Sequence, residues 1–290
     1  MKDKDLLDNY SINFNGNLLN LDTPIVMSIL NTTPDSFYDG GNYNSIDKAL
    51  IKVESDLENG ATIIDIGGYS TRPNGMEISQ DEEINRTIPY IESILRRFPK
   101  CNISIDTFRG KVAAFAIDVG AGMINDVSGW NMDSLMLDTI KKYKVPYILM
   151  HMKGQPINMQ NKPTYNQLIK EILDFFIDKI KILKDSNIND IVIDPGFGFG
   201  KTVNHNYKIL GNLEIFRLLN VPIMVGIGRK SMITKYLKIN KKNSLNSTTA
   251  LNMYALSKGA KILRVHDVKE AIECIQPVSY THLTLPTISS

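Results

Sequence analysis

The chain has 290 residues, of which 43% are hydrophobic and 22% charged, and 33 lysines and arginines nearly balance 31 aspartates and glutamates, for a formal net charge of +2. The near-balance argues against a protein dedicated to nucleic acids or membrane surfaces, which needs a basic excess on one face. The composition also excludes a disordered chain, and no apolar stretch reaches the roughly 18 residues of a membrane span.

Eight short apolar runs, rich in β-branched residues, recur along the chain. Each run is apolar almost throughout, which is typical of a parallel strand that is buried on both faces. We predict strands at residues 25–30, 62–66, 102–105, 122–124, 146–150, 191–193, 222–225 and 261–265.

Amphipathic segments with helical spacing lie between these runs. They predict helices at residues 47–59, 79–98, 164–184, 246–258 and 267–274, and Ser79 and Glu82 have the spacing of an N-terminal capping box. Strands that alternate with helices indicate right-handed βαβ units and a parallel sheet. Eight such units are typical of a single-domain (β/α)8 TIM barrel, and an open doubly wound sheet is the alternative.

Polar residues at the strand ends decide between these two architectures. An open sheet gathers its site at one switch point, whereas a barrel can use the carboxyl ends of many strands. Every predicted strand here runs into polar residues, from Asn31 after the first to His266 after the last. One such residue is often a helix cap, which is our interpretation of Asp267. Eight polar strand ends are too many for caps alone, and they favour the barrel.

Three short polar residues, Asp106, Asn125 and Asp194, lie at rigid strand ends and suit the rim of a flat heterocycle. A carboxylate can accept two parallel N–H donors, such as an exocyclic amine beside a ring N–H, and an amide can both donate and accept. A buried hydrogen-bond network that only stabilises the barrel is the alternative. The glycines at 196, 198 and 200 predict a loop whose backbone approaches a ligand closely.

Cationic residues gather at the other predicted strand ends. Arg264 and His266 are two positions apart on one strand, so both side chains point the same way. With Asn31 and the turn at residues 229–231 they predict a site for an oxyanion after the last strands, where barrels often bind phosphate. A structural ion pair is the alternative for Arg264. The four histidines and two cysteines lack the spacing of a zinc site, whereas a magnesium ion held mainly by ligand phosphates fits the pattern.

Seven motifs occur in order over about residues 15–275. They are the segments 29–41, 65–73, 104–107, 124–129, 194–201, 228–231 and 263–268. Together they resemble the motifs of the dihydropteroate synthase family, the pterin-binding TIM-barrel enzymes of folate synthesis.

This resemblance implies a transferase that joins 6-hydroxymethyl-7,8-dihydropterin diphosphate to 4-aminobenzoate and releases pyrophosphate, with Mg2+ as cofactor. It places the pterin against Asp106, Asn125, Asp194, Lys230, Met150 and Phe199. It places the aminobenzoate, and the sulfonamides that bind in its place, against Phe37, Thr71, Arg72, Pro73 and Ser231. It assigns catalysis to Asn31, Asp35, Arg264 and His266, with Asn31 on the metal ion and with Asn31, Arg264 and His266 on the diphosphate.

The sequence departs from the family pattern at two kinds of position. Tyr69 stands where glutamate is frequent, and Gly228 stands where serine is frequent. After Glu273 no charged residue follows, and the tail resembles the in-frame translation of a sequencing adapter. We therefore expect an N-terminal extension at 1–14, a barrel at 15–275 whose last helix is cut short, and a tail at 276–290 that is not native.

Two other functions remain as alternatives. A pterin-dependent methyltransferase shares the barrel and the pterin acceptors but lacks the loops at 31–37 and 70–73. A pterin-binding protein without catalysis is the second. Since Cys101 and Cys274 are the only cysteines and the first residues lack an apolar signal core, we expect a reduced, cytoplasmic protein. We further expect small-molecule substrates, no nucleic-acid or membrane partner, and a homodimer if the last helix is intact.

Overall fold

The computed structural model of the chain describes residues 10–33, 45–70, 77–156, 159 and 162–283, with side chains up to residue 280. Within this part of the chain, β1 (Ser11–Phe14) and β2 (Asn17–Asn20) form an antiparallel hairpin. Eight further strands close into a parallel barrel in the order β10-β3-β4-β5-β6-β7-β8-β9. They are β3 (Ile25–Asn31), β4 (Ile63–Gly67), β5 (Asn102–Asp106), β6 (Met123–Asp126), β7 (Tyr147–Met150), β8 (Ile191–Asp194), β9 (Ile223–Val225) and β10 (Ala260–Val265). All eight predicted strands are confirmed, and the open sheet is excluded.

Helices surround the barrel. They are α1 (Ser45–Glu58), α2 (Gln80–Arg97), α3 (Gly110–Asp118), α4 (Leu135–Tyr143), α5 (Leu168–Asp185), α6 (Val203–Gly211), α7 (Ser231–Leu237), α8 (Leu245–Ser257) and α9 (Val268–Leu283). The five predicted helices correspond to α1, α2, α5, α8 and α9. The other helices, α3, α4, α6 and α7, were not predicted, because they are only seven to nine residues long and carry short hydrophobic stripes.

The N-terminal hairpin closes the bottom of the barrel. Ile12, Phe14 and Leu21 are buried against the inward residues at the amino ends of the barrel strands. The predicted boundary after residue 14 therefore falls within this hairpin rather than before the barrel. The signal was present, because Asn15 and Gly16 both have positive φ in the turn and Asn-Gly is a strong hairpin sequence.

The N-terminus of α2 and the C-terminus of α9 differ from the bounds and the capping box that the sequence predicted. Ser79 caps α2 through a hydrogen bond from the Glu82 backbone N–H at 3.1 Å, while the Glu82 side chain pairs with Arg86 instead of completing a capping box. Helix α9 continues through Pro277 to residue 283, and Val278 is buried in the core. The last helix thus continues beyond residue 275, and whether the native helix is cut short stays a prediction. Whether residues 276–290 are native stays a prediction.

No helix in the described ranges is both long and apolar enough to cross a membrane.

Candidate active site

Four alternate strands carry one layer of polar side chains inside the barrel. On each strand, the polar residue lies two positions beyond a floor residue, so both face inward. The pairs are Ile63 and Asp65 on β4, Met123 and Asn125 on β6, Val192 and Asp194 on β8, and Ile262 and Arg264 on β10. Three of the four side chains belong to the predicted site, and Asp65 is an addition.

Asp65, Asp106, Asn125 and Arg264 form a hydrogen-bonded group that we call the carboxylate cluster. Arg264 donates Nε–H to Asp65 Oδ2 and Nη2–H to Asp106 Oδ2, both at 2.6 Å. Asn125 donates Nδ2–H to the same Asp65 oxygen at 2.9 Å. The structure thus brings the predicted residues together, and it places Arg264 in the ion pair that we had kept as the alternative to oxyanion binding.

Burial and mutual repulsion govern protonation in the carboxylate cluster. Burial, opposed by Arg264 and assisted by the charge of Asp65, raises the pKa of Asp106 to about 7. Burial would lower the pKa of Arg264, but the two carboxylates outweigh it and raise that pKa further. Arg264 is therefore charged at any physiological pH, while Asp106 is poised to exchange a proton near neutrality.

His151, Asp194, Lys201 and Lys230 form a second group, the lysine cluster. The Lys201 ammonium is 3.0 Å from His151 Nδ1 and donates to the carbonyl oxygens of His151 at 3.1 Å and Phe199 at 3.0 Å. Burial lowers the pKa of Lys201 to about 7, with Asp194 opposing and Lys230 adding to the effect. Burial and the Lys201 charge also lower the pKa of His151. His151 is thus uncharged at pH 7, whereas Lys201 exchanges its proton near that pH.

Lys230 is the more exposed of the two lysines in the lysine cluster. Its ammonium donates to the Phe197 carbonyl oxygen and lies 4.9 Å from the centre of the Phe199 ring. Burial lowers its pKa to about 8 against the pull of Asp194. Asp194 accepts the Gly196 N–H at 2.7 Å, and burial raises its pKa although Lys230 and that hydrogen bond oppose the shift.

The glycine-rich loop after β8 packs against protein rather than opening toward a ligand. Gly196 has φ +72, and a Cβ there would lie 2.0 Å from the His151 carbonyl oxygen. A Cβ on Gly200, at φ +62, would lie 2.2 Å from the Lys153 carbonyl oxygen. These two glycines lie against the segment after β7, and the predicted close approach of the loop backbone to a ligand stays a prediction.

An apolar wall lines one side of the mouth. Met150 is buried in a cluster with Phe108, and Phe199 and Tyr69 pack against it. The rings of Tyr69 and Phe108 meet edge to face at 5.2 Å. The Arg109 guanidinium lies 5.2 Å from the centre of the Tyr69 ring and pairs with the buried Glu83 at 2.8 Å. Tyr69 is therefore accommodated by a cation–π contact.

The cationic rim is weaker than the sequence predicted. Arg229 is engaged by Asp267, with Nε–Oδ2 at 2.9 Å and Nη2–Oδ1 at 2.5 Å. Asp267 directly precedes α9, but its carboxylate forms this ion pair rather than serving as the simple cap that we predicted. His266 is exposed at the rim. Partial desolvation there, together with the charges of Arg264 and Lys52, lowers its pKa to about 4, so it is neutral at pH 7.

The other predicted site residues fall into two groups, those at the mouth of the barrel and those outside the described ranges. Asn31 ends β3 and Ser231 begins α7, both at the mouth. The remaining predicted residues, Asp35, Phe37, Thr71, Arg72 and Pro73, lie outside the residues that the structure describes.

Magnesium is compatible with the donors at the rim. No group of three or more His, Cys, Asp or Glu side chains that could hold a metal ion occurs within the described ranges. A magnesium ion that arrives with a diphosphate needs only one or two protein oxygens, because phosphate and water complete its octahedron. The half-buried amide of Asn31 is an oxygen donor of this kind.

Three buried members of the site, Asp65, His151 and Lys201, were not predicted from the sequence. Asp65 had a usable signal, because a period of two along β4 turns it inward with Ile63. His151 also had a signal, because it directly follows β7 as a polar strand end, whereas Lys201 lies in the loop between β8 and α6, whose path the sequence does not specify.

The comparisons with known proteins agree with this geometry. The family model described as "Pterin binding enzyme" matches residues 27–266. The chain is 41% identical over 268 residues to the dihydropteroate synthase of Escherichia coli K12, covering 92% of this chain and 94% of that protein.

Two solved structures have the same fold. One is the Yersinia pestis dihydropteroate synthase with a sulfonamide drug complex, with a TM-score of 0.89 and 40% identity over 95% of this chain and 100% of that one. The other is the Xanthomonas albilineans dihydropteroate synthase with 4-aminobenzoic acid, with a TM-score of 0.88 and 34% identity over 96% of this chain and 100% of that one. The chain belongs to the dihydropteroate synthase family of pterin-binding enzymes.

Proposed function

We propose that this chain joins 6-hydroxymethyl-7,8-dihydropterin diphosphate to 4-aminobenzoate and releases pyrophosphate. The observation that carries this proposal is the inward layer of Asp65, Asn125, Asp194 and Arg264, bounded by the apolar wall at Met150. A flat heterocycle with a polar edge matches such a layer, because its faces need apolar contacts and its rim needs donors and acceptors. The Xanthomonas albilineans relative, with its 4-aminobenzoic acid, supports the second substrate.

The pterin is held at its rim by carboxylates and an amide. Asp194 and Asp106 accept the N–H groups of the guanidine-like edge, and Asn125 accepts or donates at the ring. Lys230 and the Phe199 ring lie next to each other, so the ammonium and an aromatic face can enclose one side of the heterocycle.

The diphosphate is bound at the rim, above Arg264. The Arg264 guanidinium retains N–H groups beyond the two that the carboxylates take, since it has five donors. His266 is neutral in the free protein, and an anionic ligand beside it raises its pKa toward neutrality. Asn31 would hold the magnesium ion, which when bound neutralises charge that develops on the leaving pyrophosphate.

The reaction needs no strong base. The nitrogen lone pair of 4-aminobenzoate forms the new C–N bond to the methylene carbon while the C–O bond to the diphosphate breaks. Pyrophosphate leaves with the electron pair of that bond, and the nitrogen then loses one proton. A neutral aryl amine needs positioning more than activation, which a rigid barrel mouth provides.

A turnover assay tests the proposal. Purified protein is mixed with dihydropterin diphosphate, 4-aminobenzoate and Mg2+, and pyrophosphate and 7,8-dihydropteroate are measured together. Equimolar formation of both products is expected, as is competition by a sulfonamide against 4-aminobenzoate. Omission of Mg2+ with excess chelator should slow the reaction. Pterin binding without turnover contradicts the enzyme and supports the binding-only alternative, and absence of binding contradicts both.

The proposal extends to assembly and location. We propose a homodimer if the last helix is intact, supported by the exposed apolar residues Met253 and Tyr254 on α8. Light scattering during gel filtration should give twice the chain mass of 32.6 kDa. We propose a cytoplasmic location because both cysteines, Cys101 and Cys274, are free thiols.

A further inference from the structure

Asp65 occupies the centre of the carboxylate cluster. Its side chain has no exposed surface, and its Oδ2 accepts from Asn125 on β6 and from Arg264 on β10. Neither β6 nor β10 is a neighbour of β4 in the barrel. One carboxylate oxygen therefore joins three separated strands across the interior.

The bond to Asp65 determines which end of the Asn125 amide faces a ligand. A carboxylate paired with a guanidinium offers only acceptors, so Asn125 must turn its Nδ2 donor toward Asp65. The amide is planar, and its Oδ1 acceptor then points away from Asp65. Asn125 is 3% exposed and lies in the predicted pterin-binding layer, so this oxygen is the acceptor that its side chain offers to a bound heterocycle.

We propose that Asp65 is a positioning residue that presents the Asn125 carbonyl oxygen to the ligand and so selects heterocycles with an N–H donor at that point. This inference deepens the proposed function and rests on the assignment of the inward layer to the pterin. Asp65 also holds the Nε edge of Arg264, so that the remaining N–H groups of the guanidinium face the rim.

Variants that exchange the side chains of Asp65 and Asn125 distinguish an effect on the orientation of the amide from a general loss of structure. In Asp65→Asn, residue 65 gains a donor, so the Asn125 amide is free to turn either end to the ligand and Arg264 loses a charged partner. In the double variant Asp65→Asn with Asn125→Asp, the amide donates to the carboxylate in the opposite direction. Position 125 then again presents only acceptor oxygens, and the cluster keeps its total charge.

Asp126 supplies the matched control. It is the next residue on β6, is fully buried, and accepts from Tyr147 at 2.7 Å and from Ser128 at 2.8 Å. Because neighbouring strand residues alternate between faces, its carboxylate lies outside the inward layer. Asp126→Asn thus removes a buried carboxylate charge without changing the amide of Asn125.

The measurements are KM and kcat for dihydropterin diphosphate, KM for 4-aminobenzoate, and the dissociation constant of dihydropterin diphosphate by calorimetry. Asp65→Asn should weaken pterin diphosphate binding by about tenfold or more, the usual effect of losing a hydrogen bond to a charged group. KM for 4-aminobenzoate should stay within about twofold. The double variant should recover most of the loss, and Asp126→Asn should leave both KM values unchanged.

Three results would overturn the inference. They are unchanged pterin binding in Asp65→Asn, no recovery in the double variant, and an equal loss of pterin affinity in Asp126→Asn. If Asp65→Asn does not fold, the double variant alone tests the inference, with Asn125→Ala as the reference that lacks the amide. Dihydropterin diphosphate binding as weak in the double variant as in Asn125→Ala would then count against the inference. Should the unmodified chain bind the pterin without turnover, the proposed function fails while calorimetry still tests Asp65.

Discussion

The carboxylate cluster and the lysine cluster share one barrel mouth but treat buried charge differently. In the carboxylate cluster, Arg264 contacts two carboxylates directly, both at 2.6 Å. In the lysine cluster, Lys201 contacts an imidazole nitrogen and two carbonyl oxygens, and Asp194 acts on it only through its charge. The carboxylate cluster offsets the burial of its charges by ion pairing. In the lysine cluster, the pKa values of the lysines fall, so that less positive charge is buried at neutral pH.

This difference bears on what each cluster does when a ligand arrives. Burial is the main cause of the raised pKa of Asp106, and the charge of the second carboxylate, Asp65, adds to it against the pull of Arg264. Burial is also the main cause of the lowered pKa values of Lys201 and Lys230, to which Lys230 adds for Lys201 and Arg264 adds for Lys230. The first cluster thus has two carboxylates around one cation, and the second has two lysines near one carboxylate. A heterocycle with donors on one edge and acceptors on the other compensates both. The barrel is therefore pre-arranged for a ligand of mixed polarity.

The largest effect is expected from Arg264→Met. Removal of the guanidinium leaves Asp65 and Asp106 as two buried carboxylates without a cation, which should lower the free energy of unfolding by about 3–5 kcal/mol. Turnover should fall by about 10²–10³-fold because the leaving group loses its donor. Urea unfolding and steady-state kinetics measure the two effects. Wild-type stability would contradict the paired character of this cluster.

A smaller effect is expected from Asp194→Asn. The amide keeps an oxygen for the Gly196 N–H but replaces the carboxylate face that accepts two parallel pterin donors. We expect KM for dihydropterin diphosphate to rise by about 10–100-fold. The free energy of unfolding should also fall, because Lys201 and Lys230 lose the charge that offsets their burial. The same rise in KM for 4-aminobenzoate would show that Asp194 serves general structure rather than the pterin.

Lys201→Met should change how stability depends on pH. The pKa of Lys201 is about 7 in the folded chain, against an ordinary value of 10.5. Between these values the unfolded chain binds more protons, so this residue makes the folded state more stable as pH rises from about 7 to 10. The slope is about 1.4 kcal/mol per pH unit. Lys201→Met should remove that slope, and parallel curves for both proteins would show that Lys201 stays charged when buried.

The smallest effect is expected from Arg229→Met, which also serves as the control for Arg264→Met. The Arg229–Asp267 pair is partly exposed, with side chains 34% and 18% accessible. Solvent screening limits such a pair to about 1 kcal/mol or less. Thermal and urea unfolding should shift little, and turnover should stay within about twofold. A loss comparable to that of Arg264→Met would place Arg229 in the diphosphate site after all.

Local sequence patterns were sufficient for the barrel but not for its closure at the bottom. The eight strands are continuous apolar runs such as residues 147–150, which only a doubly buried strand explains. Only β1 of the hairpin at 11–20 alternates polar and apolar residues, and β2 does not, so the hairpin was not predicted although its Asn15-Gly16 turn was readable. Among the short helices, α6 begins at a capping box formed by Thr202 and His205, whereas α3, α4 and α7 have no side-chain cap.

Within the site, the sequence predicted which residues take part, but it did not predict which of them contact one another. Asp106, Asn125 and Arg264 were predicted for two separate ligand regions, yet the structure joins them through Asp65. Such contacts depend on the barrel's closure, which brings β4 and β10 to within one strand of each other. Spacing along the chain carries no information about that distance.

The hairpin that closes the barrel has a consequence for synthesis on the ribosome. Its residues Ile12 and Phe14 emerge more than two hundred residues before Ile262, a partner in the same buried cluster. During that interval the hairpin has no finished floor to cover, and its apolar side stays available to other surfaces. Closure of the bottom is thus a late folding event with long loops to bridge, which slows folding and favours capture by a chaperone.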